Sequence, residues 1–424
     1  MTGAATPVTA PLLPSRQTFA QAPSDRREGR AEFGSNEEVT MTLLVSIAAL
    51  GFFLLLVQRL ALHVALRRPL PLPSRHPGIS ILKPLCGVDD ALEENLRSFA
   101  QLDYPHFEVL LGVKDRSDTA WPIACALAAR DRRFRVVQQR STPGLNPKVN
   151  QLVTLAADAK HELLLVSDSN ARLPRSALNE VAAYFENTRV GCVTHPVSGR
   201  GHVSFGALLD NLHLVSSVGA AQLGVKTLAG KDLVVGKSMG LRRSALEALG
   251  GFTRYVDVLA EDYVIGQDLR RLGLEVRVAR TPVWNVTVDR TVRSFFERYL
   301  RWGVIHRTAV TLPTSLAQGL INPLPLLLLA AALKPGLQSL VVLGAGTLLK
   351  TALDVSSARV LQCDPIGWRA IPAVLVKDSL IFVTWFHGLW SRTVVWRGHR
   401  LRVGARSRLL RPATALRPAH AEAS

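Results

Sequence analysis

Cysteine is scarce in this chain. Its four cysteines, Cys86, Cys125, Cys192 and Cys363, are scattered over 424 residues with no CxxC pair and no metal-ligand spacing. That excludes a disulfide framework and a zinc module, and it fits a reducing compartment. Acidic residues are also few, with 33 Asp and Glu against 51 Lys and Arg and a formal charge of +18. Such a balance points to an anionic partner, either nucleic acid or an anionic membrane surface. No zinc-finger, RNA-recognition or basic-zipper pattern occurs, so no nucleic acid is expected. The Arg-rich stretch 397–417 follows an apolar segment, which makes lipid head groups the better partner.

Apolar residues, by contrast, are plentiful and concentrated. They make up 48% of the chain, and the mean hydropathy is +0.17 despite the charge. One block, 41–66, is broken only by Gln58, Arg59 and His63. At about 1.5 Å per residue it is long enough to cross a bilayer as one helix. It lies too far from the N-terminus, and runs too long, for a cleaved signal peptide. Arg67 and Arg68 follow at once, so the polar middle of the chain is expected in the cytoplasm, at the inner membrane if the source is bacterial. Further apolar segments at 317–333, 337–354 and 371–390 predict two to three C-terminal membrane helices. The last is interrupted by Lys377 and Asp378, and ionisable residues at membrane depth are costly unless paired or functional. Three C-terminal spans would put the basic tail on the side its charge disfavours, so one segment is expected to be re-entrant or interfacial.

Between these segments the pattern alternates. Short β-branched runs at 79–82, 107–113, 135–138, 163–167, 190–194, 233–239 and 275–279 predict strands. Helical patterns fall near 90–101, 118–130, 148–158, 175–186, 204–223, 243–249 and 262–272. The fold class this implies is α/β, a mostly parallel sheet flanked by helices. The domain reading is a disordered tail over 1–38, a transmembrane helix over 41–66, a catalytic domain over 75–311, membrane segments over 316–396 and a basic tail over 397–424. Pro69, Pro71 and Pro73 make the linker after the first span stiff.

In such sheets ligands bind beyond the carboxyl ends of the strands. Two acids stand there, Asp115 in LGVKDRSD and Asp168 in LLLVSDSNARLP. Either is equally a turn or capping carboxylate. As functional groups, Asp115 suits a nucleotide base or ribose edge, and Asp168 a metal ion bound to phosphates. The Asp-x-Asp pattern is incomplete, because Asn170 holds its second position. Glu261 and Asp262 open a predicted helix, where they complement its dipole. Two adjacent carboxylates also raise one another's pKa, which suits a general base. Arg298, Arg301 and Trp302 share one helix face in RYLRW. Paired guanidinium groups can clamp a diphosphate, and a basic amphipathic helix on a membrane surface reads the same way. Lys148, in NPKVN near a helix start, can reach a phosphate or face solvent.

Taken together, ISILKPLCGVD, QLDYPHFEVLLGVKD, NPKVNQL, SDSNAR, LAEDY and RYLRW stand in the order and spacing of the ceramide glucosyltransferases, a branch of the GT-A inverting glycosyltransferases. The resemblance covers 78–310, and WRGHRLRV at 396–403 is similar to that family's C-terminal end. It implies a GT-A-like domain, UDP-glucose as donor, a divalent cation (Mg²⁺ or Mn²⁺) and ceramide as membrane lipid acceptor. By that resemblance Asp115 and Asp168 match two essential aspartates in nucleotide and metal binding, and Asp262 matches the proposed base. Arg298, Arg301 and Trp302 match the (Q/R)xxRW motif, where Arg rather than Gln favours a single transfer over polymerisation. The stretch THPVSGRGHVSF departs from the family pattern around His195, the expected acceptor contact together with Glu261. Hopanoid-associated and other lipid glycosyltransferases share these motifs, so the acceptor stays open between them and ceramide. A processive synthase would need a channel of spans and Gln at 298. A non-enzymatic membrane scaffold would need no base.

Overall fold

The first apolar block forms helix α1 (Asp25–Arg67), of which Glu38–Arg67 is long and apolar enough to cross a membrane. A computed structural model describes residues 1–3, 25–320, 322–396 and 399–411. It divides into two units, Met1–Leu43 and Leu44–Ser424. Helix α1 takes in 25–38 of the segment expected to be disordered, while 4–24 lies outside the described residues.

Strands and helices then alternate. β1 (Ile79–Pro84), β2 (Phe107–Val113), β3 (Phe134–Gln138) and β4 (Leu163–Ser167) are linked by α2 (Leu92–Ser98), α3 (Trp121–Arg130) and α4 (Pro147–Asp158). After the two-residue β5 (Ala171–Arg172) come α5 (Ala177–Phe185), β6 (Val190–Thr194) and β7 (Val197–Arg200). α6 (Phe205–His213) runs through a π-helical turn, Leu214–Gly219, into α7 (Ala220–Ala229). β8 (Ser238–Arg242), α8 (Arg243–Ala248), α9 (Glu261–Arg271), β9 (Glu275–Val278) and β10 (Val283–Val286) complete the α/β part. The main sheet has the order β3-β2-β1-β4-β8-β6-β9. Only β8 runs antiparallel to its neighbours β4 and β6. Every residue of β1, β2, β4 and β6 is buried, because helices cover both faces, and this is why those strands read as unbroken apolar runs. The expected strand at 233–239 is corrected. The strand begins at Ser238, and 233–237 is a loop whose apolar character comes from Val234, buried in the core under α9.

The register of the antiparallel pair fixes where two charges emerge. Ser167 at the end of β4 sits opposite Ser238 at the start of β8. Asp168, one residue beyond, and Lys237, one residue before, therefore leave the sheet side by side.

Beyond the sheet, α10 (Val292–Ala309) precedes α11 (Leu312–Leu320), α12 (Pro323–Leu333), α13 (Leu337–Val360) and α14 (Ala370–Trp390). Of these α13 and α14 are long and apolar enough to cross a membrane. The apolar run at 317–333 is divided between α11 and α12, and an 11-residue helix reaches only about 16 Å at 1.5 Å per residue. Helices α10 and α14 meet at Gly303 and Gly388, where a Cβ on either would strike the other's backbone. Lys350 and Asp354 of α13 form a buried square with Lys377 and Asp378 of α14, with contacts of 2.5 to 3.4 Å. Lys377 also donates to Ser216 in the π-helical turn at 3.2 Å.

After α14 the chain forms a three-stranded antiparallel sheet, β11 (Thr393–Trp396), β12 (His399–Val403) and β13 (Leu409–Leu410). Val394, Leu401, Val403 and Leu409 pack with Leu259 and with Val304 of α10. After two helices long and apolar enough to cross a membrane, the chain thus returns to the α/β domain. Residues 399–411 of the expected lipid-facing tail are part of the folded domain, and 397–398 and 412–424 lie outside the described residues.

Candidate active site

Helix α4 starts as its sequence dictates. The Asn146 side chain caps it, accepting from Lys148 N at 3.0 Å and Val149 N at 3.2 Å, and Pro147 fills the first turn. Lys148 is thereby held at the helix start with its amine turned to carboxylates, 3.0 Å from Asp168 Oδ1 and 2.9 Å from Glu261 Oε1. Lys237 approaches Asp168 from the other side, Nζ to Oδ2 at 2.9 Å, and donates to Asn170 at 2.9 Å. A line Lys237–Asp168–Lys148–Glu261 results. Burial works against the charges of Asp168, Lys148 and Lys237. For Asp168 the two lysines override it and hold the carboxyl well below the usual range. For Lys148, against the same burial cost, Asp168, Glu261 and Asp262 hold the amine well above its ordinary value. For Lys237 burial wins, and its pKa is lowered.

Asp262 lies beside this line on the first turn of α9. Its Oδ1 accepts from Tyr263 N at 2.8 Å, and its Oδ2 accepts from Gly236 N. A Cβ at Gly236 would come within 2.7 Å of Asp262 Oδ2, so any larger residue there would displace the carboxylate. Burial, followed by repulsion from Glu261, pushes the Asp262 carboxyl up to about 6, against the pull of Lys148 and the two backbone donors. An acid poised there is deprotonated at neutral pH and basic enough to take a proton.

On α10, Arg298 is largely covered, and its NH1 donates to Asp210 Oδ2 of α6 at 2.9 Å. Tyr299 Oη donates to Asp210 Oδ1 at 2.8 Å and Thr287 Oγ1 to Oδ2 at 3.2 Å. The Trp302 ring lies 5.5 Å from the Arg298 guanidinium carbon, and Arg301 is half-buried one turn on. Asp115 sits at the end of β2 but makes turn bonds to Ser117, which lower its pKa. His195 lies wholly buried at the end of β6, its Nδ1 2.9 Å from Ser238 Oγ and its pKa lowered by burial to about 4. That environment gives it no surface to offer a lipid. Both oxygens of Glu261 are taken, by Lys148 and by Asn146 Nδ2 at 3.3 Å, so it serves to hold Lys148.

Of the candidates named from sequence, the structure brings Lys148, Asp168, Glu261 and Asp262 to one place. Sequence reading missed Lys237 and Asp210, whose partners are set by tertiary packing. It also missed Lys83, fully buried in β1, which donates to Asp168 O at 2.8 Å and lies 3.8 Å over the Phe99 ring. Burial pulls the Lys83 amine down to about 7. A lysine inside an otherwise apolar strand is the signal that would have found it.

Among known proteins the chain is similar to ceramide glucosyltransferase 3 of Caenorhabditis elegans, 25% identical over 391 residues that cover 88% of this chain and 84% of that one. Ceramide glucosyltransferase 1 of the same organism is 28% identical over 53% of this chain and 49% of that relative, so this match spans about half its length. In three dimensions it is similar to the mannosyltransferase PcManGT of Pyrobaculum calidifontis, described in complex with GDP-Man and Mn²⁺. That likeness has 17% identity and a TM-score of 0.53 over 83% of this chain and 99% of that one, and it shows a shared GT-A-like fold. The model of glycosyl transferase family 21 matches residues 41–409, from the first membrane helix to the last strand, and the chain belongs to that family.

Proposed function

We propose that this glycosyltransferase moves glucose from UDP-glucose to the primary hydroxyl of ceramide in a single displacement that inverts the anomeric carbon. The observation that carries the reading is Asp262, a half-buried carboxylate poised near 6 beside a line of alternating lysines and carboxylates. As the acceptor oxygen bonds to the anomeric carbon, Asp262 takes its proton and the bond to the diphosphate breaks. Lys148 and Lys237, which Asp168 and Glu261 keep turned into the site, would meet the charge that develops on the leaving diphosphate. Arg298, Arg301 and Trp302 would border the same site, and Asp115 the nucleotide.

The family resemblance implies a divalent cation. Among the described residues no group of three or more His, Cys, Asp or Glu is arranged to hold a metal ion by itself. One carboxylate, Asp168, fits a cation carried in by the substrate's phosphates, since magnesium is commonly held by one or two carboxylates plus phosphates. Bound there, it would neutralise leaving-group charge. Arg67 and Arg68 at the end of α1 support a cytoplasmic catalytic domain.

The test is transfer by the purified full chain in detergent micelles, with UDP-glucose, Mg²⁺ or Mn²⁺, and separate ceramide, diacylglycerol and hopanoid acceptors. A β-linked hexosylceramide that disappears in Asp262→Asn is expected. Product on another lipid alone would move the acceptor, and a retained anomeric configuration would overturn the mechanism.

A further inference from the structure

The chain beyond the last membrane helix grips the loop that leads into α9. Leu259 N donates to Ser407 O at 2.9 Å, and Leu409 N donates to Asp257 O at 2.7 Å. Ala260 N donates to Ser407 Oγ at 3.2 Å, across 147 residues of sequence. Arg406 adds a 2.5 Å ion pair to Asp268 further along α9. Ser407 is fully buried, and both Arg406 and Ser407 hold left-handed backbones, with φ of 52° and 60°. Non-glycine residues pay for that conformation and keep it only where the surroundings demand it.

The opposite side of the same loop is held by the start of α4. Leu145 N donates to Asp257 Oδ1 at 2.8 Å, Asn146 N to Val256 O at 2.7 Å, and Asn146 Nδ2 to Val258 O at 2.6 Å. The loop 256–260 is therefore clamped between the segment that carries Lys148 and the C-terminal sheet. Ala260 is the N-cap of α9 and has no side-chain oxygen to fix the helix start. Glu261 and Asp262 are the next two residues, so the placement of Ala260 is the placement of the carboxylates.

We infer that Ser407 is a positioning residue for Asp262, and that the segment after the membrane helices completes the catalytic centre by fixing where α9 begins. This rests on the reading of Asp262 as the base. A displacement of about 1 Å at a catalytic group can cost a hundredfold in rate, so loss of one clamp hydrogen bond is expected to cost about tenfold.

The experiment compares full-length wild type, Ser407→Gly, Ser407→Asn and Asp262→Asn in the micelle transfer assay, together with thermal unfolding. Glycine keeps the left-handed backbone and deletes the hydroxymethyl group that carries the hydrogen-bonding oxygen. Asparagine tolerates that backbone and offers an oxygen to Ala260 N. Expected is a kcat lowered about tenfold in Ser407→Gly, with KM for UDP-glucose within about twofold and an unchanged unfolding midpoint, and recovery in Ser407→Asn. A wild-type kcat in Ser407→Gly, with Asp262→Asn inactive, overturns the inference and leaves the base in place. A loss that tracks a lowered midpoint and is not recovered by asparagine makes Ser407 merely structural and overturns it too. Full activity in Asp262→Asn, or no transfer by wild type, removes the reading of the site and the inference with it.

Discussion

Asp210 on α6 holds Arg298 on α10 through a charged hydrogen bond of 2.9 Å, with the carboxylate wholly buried. Charge-assisted bonds of this kind are the strong ones, and their cost appears when one partner is neutralised. Asp210→Asn leaves the Arg298 guanidinium inside the protein with a neutral partner. The expected result is a loss of about 3–5 kcal/mol in unfolding free energy, with Asp210→Glu recovering part of it. Chemical unfolding of the two variants in detergent measures this. A neutral variant as stable as wild type would mean that the pair is solvated and that Arg298 is held by something else.

Asp262 makes a prediction about pH. The groups that face it are Glu261 on its own helix, Lys148 from α4 and the buried thiol of Cys192 from β6. A base must be unprotonated, so kcat/KM should fall on the acid side of about 6, by about tenfold for each further pH unit. An ordinary aspartate would place that limb near 4. Lys148 lowers the Asp262 pKa, so Lys148→Met should move the acid limb to higher pH, whatever it does to the rate at the plateau. A limb that stays in place when Lys148 is removed would show that another group sets it.

Much of this arrangement was readable because strands buried on both faces leave unbroken apolar runs. From those runs alone the acids after β2 and β4 could be placed beyond the carboxyl ends of the strands. Lys237 escaped because the apolar stretch 233–239 read as strand, whereas the strand starts at Ser238 and the preceding loop carries both Gly236 and Lys237 to the site. Asp210 escaped because nothing local distinguishes it from any acid on an amphipathic helix. Its role depends on α6 lying against α10, a tertiary fact. Ser407 escaped for the same reason at longer range, inside a stretch whose arginines read as a lipid-facing tail.

The donor set around Asp168 predicts how a cation binds. With one carboxylate already paired to Lys148 at 3.0 Å and Lys237 at 2.9 Å, the protein alone offers a poor cage. Calorimetric titration of the purified chain with Mn²⁺ should show no saturable binding without nucleotide and clear binding with UDP present. Asp168→Asn should abolish the second signal. Tight Mn²⁺ binding without UDP would mean that the ion has protein ligands other than those named.

The square of charges between α13 and α14 yields a prediction whose sign follows from counting. Two lysines and two aspartates balance, and each amine touches both carboxylates. Lys377→Met removes one cation and leaves a net negative charge buried between two membrane helices, which is expected to cost about 3–5 kcal/mol. Removing Asp354 as well, in Lys377→Met with Asp354→Leu, leaves Lys350 and Asp378 as a neutral pair 3.4 Å apart. A dry pair replaced by apolar groups of similar size is often neutral in energy, so the double variant should be more stable than the single one. Unfolding midpoints in detergent decide it. If Lys377→Met alone unfolds like wild type, water reaches the square. If the double variant is worse than the single, Asp354 is tied to something besides the lysines.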